Sequence, residues 1–215
     1  MIIEERLRTF INSLDRGNPE WLDEVERRAV ADRVPIIRKE MQSFLRFLLA
    51  VKRPESILEV GTAVGFSALL MSEYMPSGCR ITTIENYEKR IAAARENFRR
   101  AGRTDRIDLL EGDAGEILKG LPGSFDFIFM DAAKGQYPFF LPEVLRLLSP
   151  GGILVSDNVL QDGDLLESRY AVRRRDRTIH ARMREYLYEL THHPALETSV
   201  LPVGDGVTVS VKRII

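Results

Sequence analysis

Apolar positions in the first fifty residues recur with helical spacing. Ile2, Leu7, Phe10, Ile11 and Leu14 fall on one stripe. Asn18-Pro19 has the form of a cap followed by a proline in the first turn, and Trp21, Leu22 and Val25 continue that second helix. A third helix is predicted from about Ile37 to Val51, with Met41, Phe44, Leu45, Leu48 and Leu49 facing inward. After Pro54 the period changes. Short apolar runs at 56–60, 81–84, 107–110, 125–130 and 153–156 read as strands, separated by helical stretches such as Glu88 to Arg100 and Pro142 to Leu148. That alternation implies crossover connections and a parallel sheet covered on both faces. Ser199 to Val203 and Val207 to Val211 are strands joined by Gly204-Asp205-Gly206, a hairpin signal that predicts an antiparallel pair at the edge.

Composition adds mostly exclusions. The 215 residues fit one domain with a sizeable core, and 44% apolar with 29% charged is a globular balance. Lys plus Arg is 31 against 32 for Asp plus Glu, so any nucleic-acid surface must be local. The single cysteine, Cys79, rules out a disulfide within the chain and argues against a thiolate zinc site. The N-terminus is charged at once, without the apolar core of a signal peptide, and no apolar run approaches the roughly 20 residues that cross a bilayer. A cytoplasmic chain with no membrane partner is expected.

The first strand runs into Glu59-Val60-Gly61-Thr62-Ala63-Val64-Gly65-Phe66-Ser67. Glycines there let backbone approach a ligand, but the spacing lacks the third glycine of a dinucleotide fingerprint. Glu59 would repel a pyrophosphate and welcome an ammonium group. Glu85 ends the second strand, where a carboxylate accepts from both hydroxyls of a ribose. Asp113-Ala114 follows the third strand and can hold an adenine edge. A nucleoside carrying an amino acid fits this set, which describes S-adenosylmethionine. Gly61 and Gly65 by themselves would also suit a plain strand-to-helix turn.

The fourth strand ends Met130-Asp131-Ala132-Ala133-Lys134 and the fifth Ser156-Asp157-Asn158. If these strands are neighbours, Asp131, Asp157 and Asn158 converge as hard oxygen ligands suited to Mg2+ or Mn2+. The competing reading is that each Asp caps a following helix. Lys134, three residues after Asp131, is placed to act as a general base beside a cation. Asp131 and Lys134 are thus the expected catalytic pair, for transfer of a sulfonium methyl to a cation-polarised hydroxyl.

The blocks Glu59 to Ser67, Glu85, Gly112-Asp113-Ala114, Asp131 to Tyr137 and Asp157 to Leu160 resemble the cation-dependent O-methyltransferases, the group of the catechol and caffeoyl-coenzyme A enzymes. Val34-Pro35-Ile36, the run Arg173-Arg174-Arg175 and Pro202 to Gly206 are similar to the bacterial tRNA 5-hydroxyuridine methyltransferases within it. The resemblance implies a class I S-adenosylmethionine-dependent methyltransferase fold. This is a Rossmann-like α/β domain over 1–215, with a helical cap at 1–52 and a cofactor-binding core at 53–215. Its seven-stranded sheet is mostly parallel, with an antiparallel C-terminal strand. The resemblance also implies metal ligation by Asp131, Asp157 and Asn158. Implied cofactor contacts are Ile37, Glu59, Gly61, Thr62, Gly65, Ser67, Glu85, Asp113, Ala114 and Asp131, and a homodimer is usual in the group. Ala63 stands where some members carry a cofactor-binding tyrosine, so that contact is not expected.

The tRNA resemblance implies methylation of 5-hydroxyuridine at the wobble position of the anticodon loop. Its 5-hydroxyl and C4 carbonyl form a chelating oxygen pair, much as a catechol does. Arg173, Arg174 and Arg175 begin a basic stretch with Arg177, His180, Arg182 and Arg184 that could neutralise phosphates. A solvated helix face is the plainer reading of such a run. The alternative substrate is a small catechol-like or phenylpropanoid phenol. A nicotinamide oxidoreductase is disfavoured by the missing glycine and by Glu59. A non-catalytic binding protein is disfavoured by the intact set of Asp131, Lys134, Asp157 and Asn158.

Overall fold

A computed structural model describes residues 3–214. Helices α1 (Glu5–Ser13), α2 (Glu20–Ala31) and α3 (Lys39–Lys52) precede an alternating core. The core runs β1 (Ser56–Val60), α4 (Phe66–Tyr74), β2 (Arg80–Glu85), α5 (Glu88–Arg100), β3 (Ile107–Glu111), α6 (Ala114–Gly120), β4 (Phe125–Met130), α7 (Tyr137–Leu147) and β5 (Leu148–Ser156). Helix α8 (Arg177–His192) leads into β6 (Leu196–Leu201) and β7 (Val207–Lys212). The seven strands form one sheet in the order β3-β2-β1-β4-β5-β7-β6, in which β7 alone runs opposite to the other six.

Alternation along the central strands supplies both faces of the sheet. Phe127 and Phe129 point into a core shared with α2, α3, α4 and α5 (Leu22, Met41, Leu45, Leu69, Phe98). Ile128 and Met130 point to the opposite core, with Leu118 of α6, Leu141 and Val144 of α7, and Met183 and Tyr186 of α8. Each fully buried side chain of this size stabilises the fold by about 1.5–3 kcal/mol before entropy is counted. Helices α2 and α3 therefore share one apolar core with the sheet, whereas α1 buries no residue and leaves Leu7, Phe10, Ile11 and Leu14 of its expected apolar stripe exposed.

Several boundaries move. Ile2 lies outside the described residues. Pro19 is the cap residue of α2, not part of its first turn, and Asn18 instead bonds Gln42 and Arg46 of α3. Helix α7 starts five residues before Pro142, carrying one proline in its first turn and Pro142 within. Strand β5 begins at Leu148 through an irregular pairing with β4. Strand β6 begins three residues before Ser199 and ends at Leu201. Among the described residues no helix is long and apolar enough to cross a membrane.

The order reverses between β1 and β4: the chain proceeds from β1 outward to β3, then returns to β4 on the other side. Ligands of open α/β sheets bind beyond the strand ends at such a point.

Candidate active site

A cavity of about 820 Å3 opens at the reversal point. One wall comes from the loop after β1 and the ends of β2 and β3. Gly61 and Thr62 both donate their N–H to the Ile84 carbonyl at 3.1 Å, which folds the loop toward β2. The Ala63 N–H donates to Glu85 Oε2 at 2.8 Å, and Glu85 Oε1 accepts from the N–H groups of Asn86 and Tyr87, each at 3.0 Å. Three backbone donors thus pin Glu85 on the cavity wall, with part of its acceptor capacity left for a ligand. Asp113 also lines the cavity, and its Oδ1 caps α6 by accepting from the Glu116 N–H at 3.1 Å. Ile37, Gly61 and Ala114 complete this side.

The other expected cofactor residues sit behind the loop, off the wall. Glu59 is fully buried, with Oε1 accepting from Ser67 and Oε2 from Thr83, both at 2.5 Å. Burial pushes its carboxyl up to about 8, against the pull of those two hydroxyls. Thr62 pairs its hydroxyl with that of Thr83 at 2.5 Å. Gly65, at φ +83, packs where a Cβ would run into the Phe98 ring. These residues shape the loop from below, so Glu59 does not face the cavity as the sequence suggested.

The second wall is the end of β4 and β5. Met130 and Ser156 pair in parallel register, so Asp131 and Asp157 leave the sheet side by side. Backbone bonds continue past the strands, from the Asp131 N–H to the Val60 carbonyl (3.0 Å) and from the Asp157 N–H to the Met130 carbonyl (2.9 Å). Asp157 is 2% exposed, and its Oδ1 accepts from the neighbouring Asn158 N–H at 2.7 Å. Burial first, and then the charge of Asp131, pushes the Asp157 carboxyl up, while Lys134 and the Asn158 N–H pull it down. Neither aspartate caps a helix, so the competing reading of these two residues does not hold here. Lys134 Nζ lies 2.7 Å from Asp131 Oδ1 and 3.3 Å from the buried Tyr137 hydroxyl. That hydroxyl in turn lies 3.0 Å from the Met130 carbonyl and 3.2 Å from the Asp157 carbonyl.

Two crowded carboxylates, one buried, and the Asn158 amide offer only hard oxygen donors on the same cavity wall. That chemistry fits Mg2+ or Mn2+. Among the described residues no group of three or more His, Cys, Asp or Glu side chains is gathered for a metal, and this set contains only two acids. Asn158 adopts φ 57, a left-handed conformation that asparagine tolerates better than most non-glycine residues.

The basic stretch is divided. Arg173, Arg174 and Arg175 are exposed ahead of α8, whereas His180 is buried with Nε2 against the Glu167 carbonyl. His180 therefore belongs to the packing of α8 and not to a phosphate-facing stripe. Arg182 donates to the Gly135 carbonyl at 3.0 Å and stacks over Phe139, which joins α8 to the segment bearing Lys134.

Sequence reasoning missed Arg38, Tyr137 and Asp205. Arg38 and Asp205 line the cavity and pair with each other across 167 positions in sequence, beyond the reach of any local pattern. In the sequence Asp205 is legible only within the Gly204-Asp205-Gly206 turn and the Pro202 to Gly206 resemblance, and Tyr137 only within the Asp131 to Tyr137 block, neither with a role.

Comparison with known proteins gives one consistent picture. Residues 12–214 match the family model described as O-methyltransferase. A catechol O-methyltransferase of Niastella koreensis is 38% identical over 128 residues, which are 58% of this chain and 58% of that protein. The chain thus aligns with somewhat under two thirds of that relative. Caffeoyl-CoA O-methyltransferase 1 of Eucalyptus globulus is 33% identical over 77% of this chain and 70% of its own. An SAH-bound methyltransferase of Podospora anserina superposes with a TM-score of 0.88 at 30% identity, covering 98% of this chain and 95% of that one.

Proposed function

The chain belongs to the O-methyltransferase family, and from that premise we propose that it transfers the methyl group of S-adenosylmethionine to one hydroxyl of a small catechol-like phenol, with a divalent cation bound at the site. The observation that carries this reading is the placement of Asp131, Asp157 and Asn158 on the cavity wall facing Glu85 and Asp113. The catechol and caffeoyl-CoA enzymes among its relatives favour this substrate class over RNA.

Glu85 would accept the ribose hydroxyls and Asp113-Ala114 would border the adenine. Asp131 and Asp157 would hold the cation with Asn158 Oδ1. When bound, the cofactor supplies an electrophilic methyl and the cation supplies Lewis acidity toward the acceptor's oxygens. Lys134 Nζ lies at this edge, bonded to Asp131, and would take the hydroxyl proton once its ammonium has released its own proton to solvent. Tyr137 keeps that amine in place from below. The two walls hold donor and acceptor in one cavity, and positioning of this kind can lower a barrier by several kcal/mol.

Methylation of 5-hydroxyuridine in a tRNA anticodon loop is a second reading. It is supported by the exposed Arg173-Arg174-Arg175 on a segment whose helix contacts Gly135, next to Lys134. Transfer of labelled methyl to catechol and to tRNA bearing 5-hydroxyuridine, run in parallel with Mg2+, separates the two. Label on catechol at a useful rate and none on tRNA is expected. Label on the nucleoside alone would transfer the assignment to RNA.

A further inference from the structure

The turn between β6 and β7 reaches over the cation edge. The Leu160 N–H donates to the Asp205 carbonyl (3.0 Å) and the Val159 N–H to the Gly206 carbonyl (2.9 Å), so the turn is hooked to the residues that follow Asn158. Asp205 Oδ2 accepts from Asn158 Nδ2 at 3.2 Å, and Asp205 Oδ1 pairs with Arg38 Nη1 at 2.5 Å. The same guanidinium grips Asp162, with Nη2 2.9 Å from Oδ2. Asp162 is carried there by a turn in which Gln161 (φ 49) and Asp162 (φ 53) are both left-handed, a conformation that non-glycine residues hold at some cost.

We propose that Asp205, gripped by Arg38, is a positioning residue that sets the side-chain amide of Asn158 with its carbonyl end turned toward the cation. This rests on the cation reading given above. An amide has two ends of similar shape on a broad, nearly two-fold torsion, and only the oxygen end can ligate a metal. A carboxylate facing the amide accepts from the NH2 end and repels the oxygen end, which removes the wrong orientation. Arg38 is permanently charged, and its fork is fixed on Asp162 by two hydrogen bonds (Nη1 to Oδ1 at 3.2 Å, Nη2 to Oδ2 at 2.9 Å), which sets Nη1 as an ion-pair contact against Asp205 Oδ1 and so holds Asp205 in place in turn. Arg38 also follows Ile37 directly, so this grip ties the cofactor-side segment before α3 to the end of β5. The pairs are partly exposed, which makes them weak contributors to stability. Their removal should leave the fold intact and alter the site.

The test is Mn2+ affinity of the full chain, read from the free-ion paramagnetic resonance signal, with thermal melting as the check on folding. Outer partners of metal ligands typically change affinity by about 10–100-fold. Asp205→Ala should weaken Mn2+ binding by an amount in that range. Loss of a nearby negative charge would weaken it as well, so Arg38→Met decides the matter. Removal of a positive charge tightens cation binding if only through-space electrostatics acts, whereas loss of positioning weakens it by about tenfold. Arg38→Lys keeps the charge without the fork and should also bind more weakly; it serves if Arg38→Met does not fold. Mn2+ bound by Arg38→Met or Arg38→Lys as tightly as by the unaltered chain would overturn the positioning role while leaving the cation site standing. An unaltered chain that takes up no Mn2+ would remove the cation reading and this inference together.

Discussion

Gly61 lies directly against the Asp131 carbonyl, so closely that a Cβ at position 61 would fall on the Asp131 backbone. Gly61 is also at φ +105, outside the range that L side chains favour. The glycine loop after β1 and the strand end that bears Asp131 are therefore one packed unit. Gly61→Ala is expected to destabilise the chain by roughly 1–3 kcal/mol and to impair cofactor and cation binding together. Melting temperature and calorimetric titration with S-adenosylhomocysteine check this; a normal titration in the folded variant would show the contact to be incidental.

Buried Glu59 makes stability depend on pH. Its carboxyl is raised from 4.5 to about 8 in the folded chain. A raised acid favours the folded state fully below its unfolded value and loses that contribution as pH rises through the folded value. The ligand-free chain should therefore lose stability between about pH 4.5 and pH 8 through this group. Glu59→Gln is neutral at every pH and should flatten that part of the profile, so its melting temperature gains on the unaltered chain from pH 5 to pH 9. Parallel profiles for the two proteins would mean that Glu59 stays charged beneath its loop.

The sheet was legible because β1, β4 and β5 are short apolar runs ending in chemistry-bearing residues, and their neighbourhood is the geometry that a parallel α/β sheet requires. Helix α4 escaped notice for a physical reason: Phe66 to Ser72 are all buried, so no polar face marks a period. The basic stretch misled in part because a charge run conceals which positions turn inward, as His180 does. Asp131, Lys134, Asp157 and Asn158 stand out in the sequence by strand-end position, and all four line the one cavity. Glu59 is expected at the ligand from its charge beside the glycine turn, and Thr62 and Ser67 from the resemblance alone. The alternation of the strand and the curl of the loop instead place them beneath it. The Arg38–Asp205 pair depends on tertiary packing and had no local signature.

Thorough chelation is expected to abolish methyl transfer, and Mg2+ or Mn2+ to restore it. Asp157→Ala should lower turnover by at least about a hundredfold, because it removes one of the proposed cation ligands. The thermal stability of that variant should hold or rise, since Asp157 is a raised, buried acid. A loss of activity that simply tracks unfolding would make Asp157 a structural residue.

Arg173→Ala combined with Arg174→Ala separates the two substrate readings. Catechol turnover should be unchanged and insensitive to salt. On the RNA reading the same pair of changes weakens tRNA binding and shallows its salt dependence by roughly two charges. Both residues are exposed, so folding should be unaffected.

The most direct measurement is magnetic resonance of S-adenosylmethionine labelled with carbon-13 at its methyl group and bound to the chain, with Mn2+ added in place of Mg2+. With the cation held by Asp131, Asp157 and Asn158 beside the methyl donor, the bound methyl resonance should broaden sharply. It should recover on chelation and stay narrow in Asp157→Ala. A methyl resonance left narrow by saturating Mn2+ in the unaltered chain would contradict a cation and a methyl donor sharing this cavity.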